Sequence, residues 1–536
     1  MVKTIDARPG AASSDASAGF DRGWVALAVL TVIVGAGMRF VNLERKPFWV
    51  DEVIHTHYAF GISEREIADR VKEWRGRPIS PEEFLVIQRL NPERGPADVI
   101  AKLAAEEPQS PPTHYLMLHY WVQLFGDTIG TRRALSAVLS LLALPCLFWL
   151  CLELFRSTAP AWIAVSLAAV SPYFLLFAQE TRYYSLWSVV VFLSTALLLR
   201  AAHRGRWLDW VAYAAAVALG FYIHPFTGPL AVGHGVYLFA VNGGHLGQPT
   251  LRFSLAVAAS CALFLPWGQF YFTGTYQVSD WRETTIPLWN LVKAWGTTVS
   301  IAFADLNYPR GWLDNYVIGP LVALITGSCL TATFLRAPRK VWLLVAMLIV
   351  VIWAPLIVVD LVSGGIRSTV SRYLVPTYLG ILVATGYALA AGLTSTPPRR
   401  RAWRWLVAGT WVLLIGLGVT SGLRITSAET WWIKANNVDN PAISRLINAS
   451  PAPLVVAQLS SDAGRSNISL AYDLDPHVRL FMTDDPTSVP GLPGGYRDVL
   501  VYNPAEAMLD HLRVGHGLTL EPLYRGTRTL WRVERP

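Results

Sequence analysis

Long apolar runs alternate with short polar connections along most of the chain, and each run has the length of a membrane helix. A bilayer core needs about 20 apolar residues per spanning helix. The pattern therefore predicts eleven spans after an N-terminal tail, residues 1–23. The predicted spans are 24–41, 134–155, 159–178, 184–201, 208–224, 226–242, 253–272, 315–335, 341–362, 373–393 and 405–423.

The composition supports this interpretation. Charged residues make up 15% of the 536 residues and hydrophobic residues 53%, with a mean hydropathy of +0.37, whereas soluble chains are about 25% charged. More than half of the charges lie in two polar blocks, residues 42–132 and 424–536. The pattern excludes a soluble enzyme, a disordered chain and a nucleic-acid binder. All four cysteines lie inside apolar runs, so neither a disulfide nor a zinc site is expected.

The orientation follows from the positive-inside rule. If the N-terminus is cytoplasmic, the inside connections hold most of the Lys and Arg of the short connections, and the run 397–401 is the clearest example. The net charge of +8 is then explained by cytoplasmic loops. Eleven spans place both polar blocks on the outer, extracytoplasmic side of the membrane.

Both polar blocks are predicted to fold. In the first, capping boxes begin at Ser63 and Ser80, and residues 97–106 have helical apolar spacing. These segments, and residues 289–301 of a later loop, predict amphipathic helices along the outer membrane surface.

The C-terminal block has a different pattern. Residues 453–457 and 499–502 resemble strands, and 518–533 resemble a hairpin. The sequence thus predicts a mainly α protein, with a polytopic helical membrane domain (24–423) and a small C-terminal extracytoplasmic α/β domain (424–536).

Two adjacent carboxylates are the first candidates for chemistry. Asp51 and Glu52 follow Trp49, just beyond the first predicted span. Paired carboxylates at a membrane surface can act as a general base or bind a divalent metal. Helix N-capping is the alternative, because Asp is common at that position.

Arginines beside aromatic residues occur at two other outer span boundaries. Arg182 and Tyr183 precede the fourth span, and Arg367, Arg372 and Tyr373 lie at the start of the tenth. Arginine can bind phosphate in a bidentate manner, and aromatic rings can flank a sugar or a polyprenyl chain. The alternative is that each pair anchors a helix at the interface.

A histidine and an acidic segment complete the candidates. His224 ends the fifth span, and Glu107 precedes a proline-rich stretch that ends the loop helix. A lone His is more often an ordinary interfacial residue than a ligand. The predicted topology nevertheless places His224 on the same membrane face as Asp51 and the arginines. Such an interfacial ionisable cluster suggests function.

The order of these motifs resembles a known family. The motifs are Trp49-x-Asp51-Glu52, Pro111-Pro112-x-x-Tyr115, Gln179-Glu180-x-Arg182-Tyr183-Tyr184, a His at the end of a later span, and Ser371-Arg372-Tyr373-Leu374. Over roughly residues 24–390 this order is similar to that of GT-C glycosyltransferases of the protein O-mannosyltransferase and lipid A aminoarabinose transferase type.

The resemblance implies a multi-pass enzyme of a bacterial inner membrane. It would transfer a sugar from a polyprenyl-phosphate donor to a lipid, glycan or protein acceptor of the cell envelope, on the extracytoplasmic face. Asp51 would be the catalytic base with Glu52 beside it, and the expected single displacement inverts the anomeric centre. The implied substrate-binding residues are Arg182, Tyr183, Arg367, Arg372 and Tyr373, with Arg182 and Arg372 nearest the donor phosphate.

The resemblance also raises a divalent metal as a possible cofactor. His224 matches a position that some relatives use for a metal, and Glu107 is a candidate second ligand. Relatives often have an acid two residues before the paired prolines. This chain has Gln109 there, with Glu106 and Glu107 further back.

Three other functions fit a polytopic chain. A lipid-linked oligosaccharide ligase or polymerase would carry its large catalytic loop late, whereas here the long loop comes first. A transporter or flippase tends to have repeated halves and ionisable groups near the bilayer midplane, and the sequence shows neither. A non-catalytic scaffold predicts that Asp51→Ala has no effect.

Overall fold

A computed structural model describes residues 22–274, 284–306, 312–394, 401–431, 433–458, 461–483, 485–487, 489 and 491–534. The helices of the first part are α1 (Arg22–Met38), α2 (Val50–Ala59), α3 (Glu64–Trp74), α4 (Pro81–Phe84), α5 (Pro96–Glu106), α6 (Thr113–Phe125), α7 (Ile129–Phe155), α8 (Thr158–Val170), α9 (Pro172–Ala178) and α10 (Tyr184–Arg204). They are followed by α11 (Trp207–Phe221), α12 (Thr227–Val241), α13 (Gln248–Thr273), α14 (Leu288–Ser300), α15 (Gly319–Arg336), α16 (Arg339–Ser363), α17 (Val375–Thr394) and α18 (Arg401–Ser427).

Every predicted span coincides with one or two of these helices. Seven are long and apolar enough to cross a membrane, namely α7, α10, α13, α15 with its preceding turn, α16, α17 and α18. Helices α8 and α9 qualify as a pair bent by 54°. The remaining three, α1, α11 and α12, are apolar but only 17, 15 and 15 residues long. Helix α11 ends before the turn that contains Pro225, so His224 lies in that turn.

Small residues let several helices approach α8 closely. A Cβ added to Gly35 of α1 would collide with the carbonyl oxygen of Ala169, and one added to Gly418 of α18 would lie 2.7 Å from the carbonyl oxygen of Val170. Interfaces between membrane helices favour small residues for this reason. Helix α8 is therefore packed inside the bundle.

The helices predicted in the first polar block are confirmed. The Ser63 side chain accepts a hydrogen bond from the Glu66 backbone N–H at 3.1 Å at the start of α3, and Ser80 does the same for Glu83 at 3.0 Å before α4. Helices α5 and α14 lie where the apolar spacing placed them. Helix α6 was not predicted; it packs between α2 and α7.

The C-terminal region forms a five-stranded mixed sheet. Its elements are α19 (Asn440–Asn448), β1 (Pro453–Gln458), α20 (Ser461–Ala471), β2 (Arg479–Thr483), β3 (Asp498–Tyr502), α21 (Glu506–Asp510), β4 (Thr519–Arg525) and β5 (Thr529–Glu534). The strand order is β2-β1-β3-β5-β4, with β1 parallel to β2 and β3, and β5 antiparallel to β3 and β4. This confirms the predicted α/β character, the two strands and the hairpin; β2 was missed.

The sheet is joined to the first polar block. Ile79 and Leu480 of β2 exchange backbone hydrogen bonds of 2.9 and 2.8 Å. Helix α20 also packs on α2 and α4. The C-terminal region therefore contacts the helix that carries Asp51.

Candidate functional site

Helix α2 begins immediately after Trp49 and carries both predicted carboxylates in its first turn. The N-terminal end of a helix favours negative charge, because its backbone N–H groups have no partners within the helix. Glu52 Oε2 accepts a hydrogen bond from the Trp49 N–H at 3.2 Å, and Asn437 Oδ1 accepts one from the Val50 N–H at 3.0 Å. The start of α2 is thus capped by Glu52 and by a residue from the C-terminal region, which leaves Asp51 available for other contacts.

Glu52 is buried in a network of its own. Arg133 of α7 binds both carboxylate oxygens, Nε to Oε1 at 2.8 Å and Nη2 to Oε2 at 2.6 Å. The Thr181 N–H donates to Oε1 at 2.8 Å. These contacts occupy both oxygens and favour a positioning role, since a base needs a free lone pair near the substrate. A catalytic role for Glu52 stays a prediction.

Asp51 lies between two arginines from distant parts of the chain. Its Oδ2 is 2.9 Å from Nη1 of Arg372 and 3.8 Å from Nη2 of Arg182. Arg182 Nη1 also donates to the Asp51 backbone carbonyl at 3.2 Å. The side chain keeps 23% exposure, so another molecule can approach the carboxylate.

The charge state of Asp51 follows from these neighbours. Burial by itself raises the pKa of the carboxyl group, but the positive charges of Arg372 and Arg182, with those of Lys434 and Arg465, outweigh burial and hold the pKa below its usual range. Asp51 is therefore ionised at neutral pH. An ionised carboxylate next to two guanidinium groups can accept a proton while an anionic substrate binds the arginines.

Aromatic rings line the space around the two arginines. The Arg182 guanidinium lies 5.0 Å from the centre of the Tyr183 ring, and that of Arg372 lies 5.7 Å from the Tyr373 ring. The His224 ring lies 5.4 Å from Tyr183. Phe226 connects the two sides, with its ring 5.1 Å from His224 and 5.2 Å from Tyr373. The structure thus brings these predicted residues to one site; their roles in binding stay predictions.

Arg367 belongs to a different local contact. Its Nη1 lies 3.6 Å from Oδ1 of Asp360, and its backbone N–H donates to the same oxygen at 3.0 Å. These bonds fix the turn between α16 and the short helical turn at Arg367–Thr369. A direct role for Arg367 in substrate binding stays a prediction.

The two predicted metal ligands, His224 and Glu107, each have other partners in the structure. His224 Nδ1 accepts a hydrogen bond from the Phe226 N–H at 3.1 Å, and its ring stacks on Trp187 with 4.2 Å between centres. Glu107 Oε2 accepts a short hydrogen bond from Gln109. Over the part of the chain that the structure describes, no group of three or more His, Cys, Asp or Glu side chains is arranged to hold a metal. A divalent metal held by His224 and Glu107 stays a prediction.

A buried histidine pair lies beside the site, and its member His55 was missed by the sequence interpretation. His55 is one helical turn after Asp51 on α2, and its Nε2 lies 2.8 Å from Nδ1 of His114 on α6. The His55 ring stacks on Tyr115, with 3.8 Å between the ring centres. Burial lowers the pKa of both imidazoles, that of His114 to about 3. The pair is therefore neutral, and one ring donates the shared hydrogen bond to the other.

The neutral histidine pair predicts a loss of stability in acid. As the pH falls below 6.5, the ordinary pKa of histidine, the imidazoles of the unfolded chain bind protons. In the folded protein His114 binds a proton only near its lowered pKa of about 3. The free energy of unfolding should therefore fall as the pH falls through this range. His114→Gln should lose less thermal stability than the unsubstituted protein between about pH 7 and about pH 5. His245→Gln, at an exposed position, serves as the control. Equal slopes of melting temperature against pH for the unsubstituted protein and both variants would contradict the prediction.

Comparisons with known proteins agree with this fold. Residues 109–269 match the family model described as dolichyl-phosphate-mannose-protein mannosyltransferase. The structure is similar to that of ArnT from Cupriavidus metallidurans bound to undecaprenyl phosphate (15% identity, TM-score 0.51) and to the apo state of the same enzyme (14% identity, TM-score 0.51). Each comparison covers 95% of this chain and 98% of the other. No curated protein matches the chain.

At these identities the solved structures establish the fold, whereas the activity depends on the site. The shared architecture covers the helical bundle and extends through the C-terminal region. The family match falls on the segment from the proline-rich stretch to α13. The chain therefore shares the fold of ArnT, and its residues 109–269 resemble the dolichyl-phosphate-mannose-protein mannosyltransferase family.

Proposed function

We propose that this protein transfers a sugar from a polyprenyl-phosphate donor to a cell-envelope acceptor on the extracytoplasmic face of a bacterial inner membrane. The observation that carries the proposal is the position of Asp51, an accessible carboxylate between Arg182 and Arg372. The three residues come from three different connections between apolar helices. A base and two phosphate-binding groups next to each other are what this reaction requires.

The residues divide the reaction between them. Asp51 accepts the proton of the acceptor hydroxyl as its oxygen forms a bond to the anomeric carbon. The bond from that carbon to the donor phosphate breaks, and its electron pair moves to the phosphate oxygen. Arg182 and Arg372 balance the charge that develops on that oxygen. Because Asp51 forms no bond to carbon, the anomeric configuration inverts.

The surroundings of the site suit a lipid-linked donor. The rings of Tyr183 and Tyr373 offer flat apolar surfaces beside the arginines. ArnT, which shares the fold, was solved with undecaprenyl phosphate. We therefore assign a polyprenyl phosphate as the carrier, with a lipid, glycan or protein as the acceptor.

Mass spectrometry of the cell envelope tests this function. Cells that lack the protein should lose one sugar substituent from an envelope lipid, glycan or protein, and should accumulate the corresponding polyprenyl-phosphate sugar. Re-expression of the unsubstituted protein should restore the sugar, with inverted anomeric configuration relative to the donor. An unchanged set of envelope sugars and donors would refute the proposal, and retention of configuration would refute the single displacement.

A further inference from the structure

The segment formed by Trp431 and residues 433–437, between α18 and α19, lies against the start of α2. The Trp431 indole N–H donates to the Pro47 carbonyl at 3.0 Å. Asn437 Oδ1 accepts from the Val50 N–H at 3.0 Å. These two contacts hold the backbone on either side of Trp49, within a few residues of Asp51.

Lys434 of the same segment joins two parts of the site. Its ammonium group lies 3.7 Å from the centre of the Trp49 ring and 3.0 Å from Oε2 of Glu180. Both charged side chains are almost completely buried, at 5% and 1% exposure. Glu180 is two residues before Arg182, and Trp49 is two residues before Asp51. Lys434 therefore connects the segment that carries Asp51 to the segment that carries Arg182.

The segment is itself anchored to the C-terminal sheet region. Asn437 Nδ2 donates to the Ser469 hydroxyl of α20 at 2.7 Å, and Asn440 of α19 donates to the same oxygen at 3.0 Å. Helix α20 packs directly on α2. A displacement of the C-terminal region would therefore move the capping group of α2 as well.

A buried ion pair is weak support for stability by itself, because removing two charges from water offsets most of their attraction. Beside Asp51 and Arg182, the Lys434–Glu180 pair is better explained by placement of the groups around it. The positive charge of Lys434 also acts on Asp51 and helps to hold the pKa of that carboxyl group below its usual range. The other charged groups near Asp51 or its partners are Arg182, Arg372, Arg465, Glu52, Glu107 and Glu180.

We infer that Trp431 and residues 433–437 of the C-terminal region complete the catalytic site, and that Lys434 is a positioning residue for Asp51 and Arg182. The inference rests on the proposed function and deepens it. The C-terminal region then contributes to the site itself, because it sets the geometry of the base and the phosphate-binding arginine. Trp431 and Asn437 fix the backbone, and Lys434 adds the charge.

Kinetics of two Lys434 variants in the full-length protein test the inference. Lys434→Met should lower kcat by about 10- to 100-fold, the cost of a small misplacement of reacting groups, with a much smaller change in KM for the donor. The acid limb of its pH–rate profile should move to higher pH, because Asp51 loses a neighbouring positive charge. Lys434→Arg should keep the position of the acid limb. Arg445→Met, which removes an exposed cation of α19, should behave like the unsubstituted protein.

A second measurement does not depend on activity. Hydrogen exchange of the purified protein should be faster at residues 48–53 in Lys434→Met and Asn437→Ala than in the unsubstituted protein, because the start of α2 loses its support. Unchanged exchange in these residues, or an unchanged kcat and pH profile for Lys434→Met, would overturn the inference. If hydrogen exchange is faster in the two variants but the unsubstituted protein transfers no sugar, the proposed function is refuted. The role of Lys434 in positioning the start of α2 would remain supported.

Discussion

Asp51→Asn is expected to reduce sugar transfer by about 10²- to 10⁴-fold, the range typical for loss of a general base. The amide has nearly the same shape as the carboxylate, but it cannot take the proton of the acceptor hydroxyl. Arg372 and Arg182, which face Asp51 at 2.9 and 3.8 Å, would lose an anionic neighbour. Their attraction for the donor phosphate should therefore be kept or strengthened. Transfer from a polyprenyl-phosphate sugar and equilibrium binding of that donor are the two measurements.

The separation of transfer from binding makes this test specific. Asp69→Asn is the matched control, because Asp69 is an exposed carboxylate of α3 that pairs with Lys72. It should leave both transfer and binding unchanged. Substantial transfer by Asp51→Asn would exclude Asp51 as the base. Loss of donor binding in that variant, with the fold intact, would instead show that Asp51 organises the arginines without removing a proton.

The positions of the membrane helices could be predicted from the sequence, because the free energy of placing a helix in lipid depends mainly on its own composition. The same holds for the serine caps of α3 and α4 and for the hairpin of β4 and β5, which depend on a few adjacent residues. The prediction was least complete for α6, whose 13 residues are too few for a span. Strand β2 was missed as well, because it is only five residues long.

The sequence placed Asp51, Arg182 and Arg372 on one face of the membrane through topology and family resemblance. It could not separate Asp51 from Glu52, because adjacent carboxylates look equivalent in a sequence. Successive residues of a helix point about 100° apart. Asp51 therefore faces the open site, and Glu52 faces the buried Arg133.

The buried partners of the site could not be predicted, because their contacts join distant segments. Lys434 meets Glu180 across 254 positions, and Glu52 meets Arg133 across 81. Neither pair has a local pattern that distinguishes it from ordinary charges at the ends of spans. His55 had one usable signal, its position four residues after Asp51 on the same helix face.

Arg133→Met should produce the largest loss of stability. Arg133 binds both oxygens of Glu52 and donates to the backbone carbonyls of Leu43, Lys46 and Pro47. Methionine fills similar volume but leaves the Glu52 carboxylate buried without its cation. Removing one partner of a buried ion pair costs about 3–5 kcal/mol. The segment before α2 would lose three hydrogen bonds at the same time.

Thermal denaturation of the detergent-solubilised protein, with and without the Glu52→Gln substitution, separates the charge effect from the packing effect. If the unpaired carboxylate causes the loss, the double variant Glu52→Gln/Arg133→Met should be more stable than Arg133→Met alone, because it has no buried charge at this position. Arg70→Met removes an exposed ion pair with Glu73 and should cost at most about 1 kcal/mol. Equal stability of Arg133→Met and Arg70→Met would show that the Glu52–Arg133 pair does not hold α2 in place. The position of Asp51 would then depend on its contacts with Arg182 and Arg372 and on Trp431 and residues 433–437.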